Sequence, residues 1–147
     1  VYGCAETVFV VLKSAYGLPD AEDASAAMAL NGGLAYSGGP CGAISGAALA
    51  VGQLAARRID DHRAAKTAAR RITARLMDEF GEAFGATACR PLIEIDLRTE
   101  EGHRRFIESG VWRDRCMRQI EFVVERLAPL ADEDEWARAV TRLSAPA

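Results

Sequence analysis

Between Gly38 and Gly46 the chain reads Gly-Gly-Pro-Cys-Gly-Ala-Ile-Ser-Gly, and Ala50 extends a row of small residues begun by Gly42 and Gly46 at four-residue spacing. Pro40 has its φ pre-set for a first helical position and has no N–H to leave unpaired, so a helix is predicted to start at Pro40 or Cys41, with Gly38 and Gly39 as its entry. Gly42, Gly46 and Ala50 then share one face, against which a second helix can approach closely. Interior glycines such as Gly46 and Gly52 each cost about 1 kcal/mol relative to alanine, so close packing or access to the cysteine is what they are expected to serve. Cys41 falls on the first turn, among unpaired N–H groups and the positive end of the helix dipole, both of which favour thiolate over thiol. It reads equally as a reactive thiol and as a small buried hydrophobe.

The remaining periodicity is helical throughout. Val8, Val11, Leu12 and Ala15 form an apolar stripe on a first helix that opens near Cys4 and stops at Gly17. Asp20 and Asp23 resemble a capping box, and a short second helix is expected over Ala24 to Leu30, ended by Asn31-Gly32-Gly33. Asp60-Asp61 open a long helix in which Ala65, Ala68, Ala69, Ile72, Leu76, Phe80 and Phe84 keep period to Gly85, with Phe80 and Phe84 expected near Cys89. Pro91 pushes Arg90 toward an extended conformation, so Cys89 is placed on a loop or helix terminus and Leu92 to Leu97 on an extended connector. Thr99 caps a helix to Glu108 that Ser109-Gly110 ends. A helix from Val111 or Trp112 to Leu127 points Cys116 inward and stops at Pro129. Asp132 with Glu135 opens a terminal helix carrying Trp136, Ala139, Val140 and Leu143. The expected architecture is all-α, a compact bundle of about six helices with a glycine-rich loop before the third, in one domain over 1–147.

The chain has 147 residues, half of them apolar, and a formal charge of −3. That balance gives no basic excess for nucleic acid, and the Lys/Arg cluster from Arg57 to Arg75 is flanked by Asp60, Asp61, Asp78 and Glu79, as on a solvated helix face. No segment reaches the ~18 apolar residues of a membrane span, and no secretory signal is visible, so a cytoplasmic location is expected. Val1 in place of Met suggests trimming at that end. The four cysteines, Cys4, Cys41, Cys89 and Cys116, are dozens of residues apart, which excludes C-x-x-C redox and zinc-ribbon spacing. Without a secretory context a structural disulfide framework is disfavoured. What remains is four separate buried thiols, or one site at which distant cysteines converge. His62 and His103 lie in charged stretches and read as solvent-facing. Trp112 and Trp136 read as core or interface aromatics. Hydrolase, metalloprotease, P-loop and dinucleotide motifs are absent from the sequence.

Cys4 in Cys-Ala-Glu-Thr-Val, the Cys41-Gly42-Ala43-Ile44-Ser45-Gly46 motif, Cys89, and Cys116 in Cys-Met-Arg-Gln-Ile follow one another in an order that resembles the C_GCAxxG_C_C family of redox-active proteins. The resemblance spans nearly the whole chain. It implies a small bacterial or archaeal α-helical protein with a redox function, and it supplies no substrate. The family name places glycine before cysteine where this chain has Cys41-Gly42-Ala43, and little chain precedes Cys4. Haem-bearing relatives do not extend the comparison, because no C-x-x-C-H attachment site is present.

Two chemistries fit the four cysteines. In the first, Cys41 attacks, one of Cys4, Cys89 or Cys116 resolves, and the remaining two form a relay or second pair, with an unknown redox partner and no cofactor beyond a disulfide. In the second, the same four thiolates hold a metal ion or an iron–sulfur cluster. A thiol-bearing binding module without turnover is a third class. Gly38, Gly39, Gly42, Ala43 and Gly46 are the backbone positions expected to approach a bound group. Cys41 is expected to be the most reactive thiol and Cys116 the buried partner. The Gly42–Ala50 face and the Trp136 helix offer a homodimer contact as well as an intrachain one.

Overall fold

The computed structural model describes the backbone of residues 2–144 and the side chains through Arg142. Seven α-helices and no strands lie among those residues: α1 (Cys4–Ala15), α2 (Gly42–Arg58), α3 (His62–Phe84), α4 (Cys89–Ile93), α5 (Glu100–Ser109), α6 (Met117–Leu127) and α7 (Glu133–Ser144). No helix among them is long and apolar enough to cross a membrane.

Helix α2 is central because its small residues let α1 approach. A Cβ on Gly46 would overlap the carbonyl of Ala5, and one on Gly42 would meet Cys4 Sγ and Ala5. The face proposed as a seat for another helix is therefore filled by α1 of the same chain. Gly52 behaves differently: a Cβ there would meet nothing within 4 Å, so close packing does not explain it. Around the α1–α2 crossing, Phe9, Leu12, Leu54, Val8 and Val51 are fully buried. Each contributes about 1.5–3 kcal/mol of apolar transfer free energy relative to exposure.

Residue-coded caps set most helix ends. Asp61 accepts the Ala64 N–H at 2.8 Å and starts α3, while Gly85, with φ of 83°, closes it. Thr99 Oγ1 accepts from Gly102 N at 2.9 Å at the head of α5. Asp132 Oδ1 accepts from Asp134 N and Glu135 N at 2.9 and 3.0 Å ahead of α7. Phe80 and Phe84 on α3 pack with Phe122 on α6, ring centroids 4.7 to 6.0 Å apart. Trp136 is buried beneath the Arg58 guanidinium, which donates to the carbonyls of Leu130 and Ala131 at 2.6 Å each. The side chain of Leu143, assigned to the same stripe, lies outside the described residues.

Three stretches depart from sequence expectation. Ala24 to Leu30 forms only a 3₁₀ turn, Ser25–Ala27. Asp23 Oδ1 captures the Ser25 N–H at 2.9 Å, a local bond that competes with helix propagation. The connector expected over Leu92 to Leu97 is helical at its start, where Leu92 and Ile93 complete α4, and non-helical from Glu94; Pro91 sits in the first turn of α4, where its missing N–H costs nothing, and Glu94 ends the helix at φ 59°. The helix before Pro129 opens with a π-helical turn over Trp112–Cys116 before α6.

Asn31 is followed by a segment of inverted handedness. Gly32, Gly33, Leu34, Ala35 and Tyr36 have φ of 67°, 76°, 72°, 51° and 62°. Left-handed backbone costs roughly 1–2 kcal/mol for each residue with a Cβ, so the three non-glycines store several kcal/mol. Ala35 N to Ala29 O at 2.8 Å, Gly39 N to Gly33 O at 2.9 Å and Ser37 Oγ to Gly33 O at 2.7 Å hold the turn in place.

Candidate functional site

Cys4 is the first residue of α1, and its surroundings are built by residues distant in sequence. Asn31 Oδ1 accepts the Ala5 N–H at 2.9 Å, and Asn31 Nδ2 donates to Glu6 Oε1 at 2.6 Å. Glu6 Oε1 also accepts the Gly3 N–H at 3.1 Å, so Asn31 and Glu6 together satisfy donors that Gly3, lacking a side chain, leaves open. The backbone N–H groups of Gly32, Ala5, Cys4 and Gly42 favour the Cys4 thiolate, yet burial outweighs them and the thiol is raised. Cys4 remains half-buried, unlike the other three cysteines.

Cys41 and Cys89 are set side by side by a minimal antiparallel pairing. Pro40 faces Ala88, with Cys41 N donating to Thr87 O at 2.8 Å and Cys89 N to Gly39 O at 2.7 Å. Both bonds lie outside the Pro40–Ala88 pair, so proline's missing N–H removes nothing from this ladder. Cys41 and Cys89 are thus diagonal neighbours on one face of the ladder. Arg90 N adds a bond to Gly38 O at 3.1 Å. Gly38 and Gly39 are used in this pairing, Gly42 and Gly46 in the contact with α1, and Ala43 is fully buried.

Cys41 is the N-cap of α2, one position before the helix, and only 3 % exposed. Burial pushes its thiol far up, and the neighbouring Cys4 and Cys89 raise it further. The N–H groups of Ala43 and Ile44 oppose this without prevailing. Its Sγ makes a weak contact of 3.8 Å with Oε1 of the buried Gln119. The helix-terminal stabilisation anticipated for Cys41 is present and is outweighed by desolvation. Burial also pushes Cys89 up to about 11 and Cys116 up to about 12, with Cys4 adding to both and Cys89 adding to Cys116. Cys4 thus raises each of the other three thiols, and Cys89 raises Cys41 and Cys116.

Cys4, Cys89 and Cys116 line one cavity of 590 Å³. Its wall also carries His103, whose ring meets Tyr36 edge-on with centroids 4.7 Å apart, and the half-buried Trp112, which stands edge-on to Phe106 at 6.5 Å. His62, by contrast, is exposed. Sequence reasoning placed His103 in solvent and gave Asn31 only the role of a helix stop. The sequence carries a signal for Asn31, an amide side chain directly before two glycines, but none for the cavity wall. Among the described residues, no group of three or more His, Cys, Asp or Glu is arranged to hold a metal ion.

Residues 2–130 match the model of the family described as "Putative redox-active protein (C_GCAxxG_C_C)". The chain belongs to this family. No curated protein and no solved structure matches it. In this C_GCAxxG_C_C member, then, three of the cysteines that give the family its pattern line one cavity, and the fourth, Cys41, is buried next to Cys89 in the Pro40–Ala88 pairing.

Proposed function

We propose that the protein is a dithiol redox protein in which Cys4 is the attacking thiol and Cys89 the resolving one, with Cys41 and Cys116 as a second pair or relay. The observation that carries this reading is the convergence of Cys4, Cys89 and Cys116 on one open cavity, with Cys4 a half-buried residue whose thiol is supplied with four backbone N–H groups. A thiolate must form before it can attack, and an anion facing several N–H donors is the one most readily formed at neutral pH. Oxidation removes one proton and one electron from each sulfur and joins Cys4 Sγ to Cys89 Sγ.

Oxidation of the reduced protein with diamide, followed by peptide mapping, tests the assignment. A Cys4–Cys89 peptide as the first product supports it, and Cys4→Ser is expected to abolish that product. The competing metal reading draws on the same four sulfurs, the ligand count of an iron–sulfur cluster. Anaerobic purification that yields a metal-loaded, coloured protein with all four thiols protected from alkylation would replace the dithiol reading with that one.

A further inference from the structure

The cavity above the cysteines has a chemical character that the thiols alone do not dictate. Its 590 Å³ falls in the size range of small-molecule sites. Tyr2, Tyr36, Phe106 and Trp112 line it together with the three cysteines. No lysine or arginine is among the lining residues, and the one carboxylate, Glu6, is already engaged by Gly3 N and Asn31 Nδ2. Arg90 pairs with Asp96 at 3.4 Å and Arg115 with Glu94 at 3.1 Å, and neither is among the lining residues.

An anionic thiol or disulfide, or any phosphate-bearing carrier, would enter this chamber with no lysine or arginine to replace its hydration, and His103, its one basic side chain, is packed against the Tyr36 ring. A flat, uncharged ring loses little hydration on entry and stacks on, or meets edge-on, the aromatic walls. From this chamber we infer that the oxidising substrate of the dithiol is a neutral quinone, bound among Tyr2, Tyr36, Phe106 and Trp112 in the cavity that Cys4 and Cys89 line. This rests on the dithiol reading above and adds the electron acceptor to it.

The step balances without a further reactant. The Cys4 thiolate adds to a quinone carbon, forming a C–S bond. Cys89 sulfur then attacks Cys4 Sγ, forming the S–S bond and breaking the C–S bond, whose electron pair stays with the ring. The two thiol protons end on the two quinone oxygens. Two thiols and one quinone give one disulfide and one hydroquinone.

Duroquinone is the probe, because its fully methylated ring blocks simple arylation of cysteine. Anaerobic mixing with the reduced protein is expected to yield durohydroquinone and the protein disulfide in equal amounts. The rate should exceed that for the anionic acceptors glutathione disulfide and anthraquinone-2,6-disulfonate by at least about tenfold. Ile107 is 78 % exposed at the cavity, and Ile107→Arg should narrow that ratio by about tenfold by supplying the missing cation. Equal or faster reaction with the anionic acceptors overturns the quinone assignment. Oxidation by diamide, which needs no aromatic pocket, separates the two claims. If diamide forms no disulfide, the dithiol reading itself fails, whereas disulfide formation with diamide and none with duroquinone sinks the quinone assignment alone.

Discussion

Cys4 Sγ lies where a side chain on Gly42 would begin, so the first cysteine and the glycine that follows the second one occupy a single packing space. The motif is thereby a structural unit as well as a chemical one: its glycines bring α1 against α2 and seat the Cys4 thiol beside Gly42.

The glycines of α2 should separate into two behaviours. Gly46→Ala pushes against the Ala5 backbone, which cannot swing aside, and is expected to destabilise the fold by about 1–3 kcal/mol through overpacking. Gly52→Ala enters open space within the same helix and should stabilise by about 1 kcal/mol through helix propensity. Urea unfolding of the two variants beside the parent checks both signs.

Asn31→Ala removes the acceptor for Ala5 N–H and the donor to Glu6. A loss of about 1 kcal/mol is expected, as for removal of an N-cap. Because the same contact fixes the start of α1, where Cys4 sits, alkylation of Cys4 should also change its pH profile in this variant. An unaltered profile with an unaltered unfolding midpoint would mean that Asn31 does not position the thiol.

At neutral pH, iodoacetamide should label Cys4 first and Cys41 last in the reduced protein. The half-buried position and four N–H groups of Cys4 set the first place, and the depth of Cys41 the last. Timed quenching with peptide mapping gives the order. Early modification of Cys41 would restore the helix-dipole argument as the dominant effect.

Stability should fall on the alkaline side. An unfolded thiol ionises near about 8.5, whereas Cys89 holds its proton to about 11 and Cys116 to about 12, chiefly because of burial. Between these values the native state binds more protons than the unfolded chain, so the slope of unfolding free energy with pH is negative. The contribution is complete below about pH 8 and is lost as pH rises toward the folded values. Urea midpoints measured from about pH 7 to about pH 10 should decline, and less steeply in Cys116→Ser.

Helix ends written in local residues were legible in the sequence: Asp61, Thr99, Gly85, Gly110 and Pro129 each mark a boundary that the structure keeps within a residue or two. The all-α class follows from the same signals. The stretch from Asp20 to Tyr36 was not legible, because an Asx bond at Asp23 and long-range contacts from Asn31 override the propensity of an alanine run. The order of the cysteines pointed to them as a group, but not to their ranks. Cys41 gains its neighbours through a pairing with residues 87–89, and neither the depth of burial this brings nor the His103–Tyr36 contact has a periodic trace. The Gly42–Gly46 face seats α1, and Trp136 packs beneath Arg58, within the chain.

From Gly32 to Tyr36 the backbone follows the mirror image of the path its L-residues prefer. At Ala35, with φ of 51°, the enantiomer is the better fit. A semisynthetic protein carrying D-alanine there should be more stable than the natural one by roughly 1–2 kcal/mol, with no contact added, because stereochemistry and backbone would then agree. Biosynthesis has no access to that remedy, so in the natural chain the hand of this turn is imposed by its hydrogen bonds.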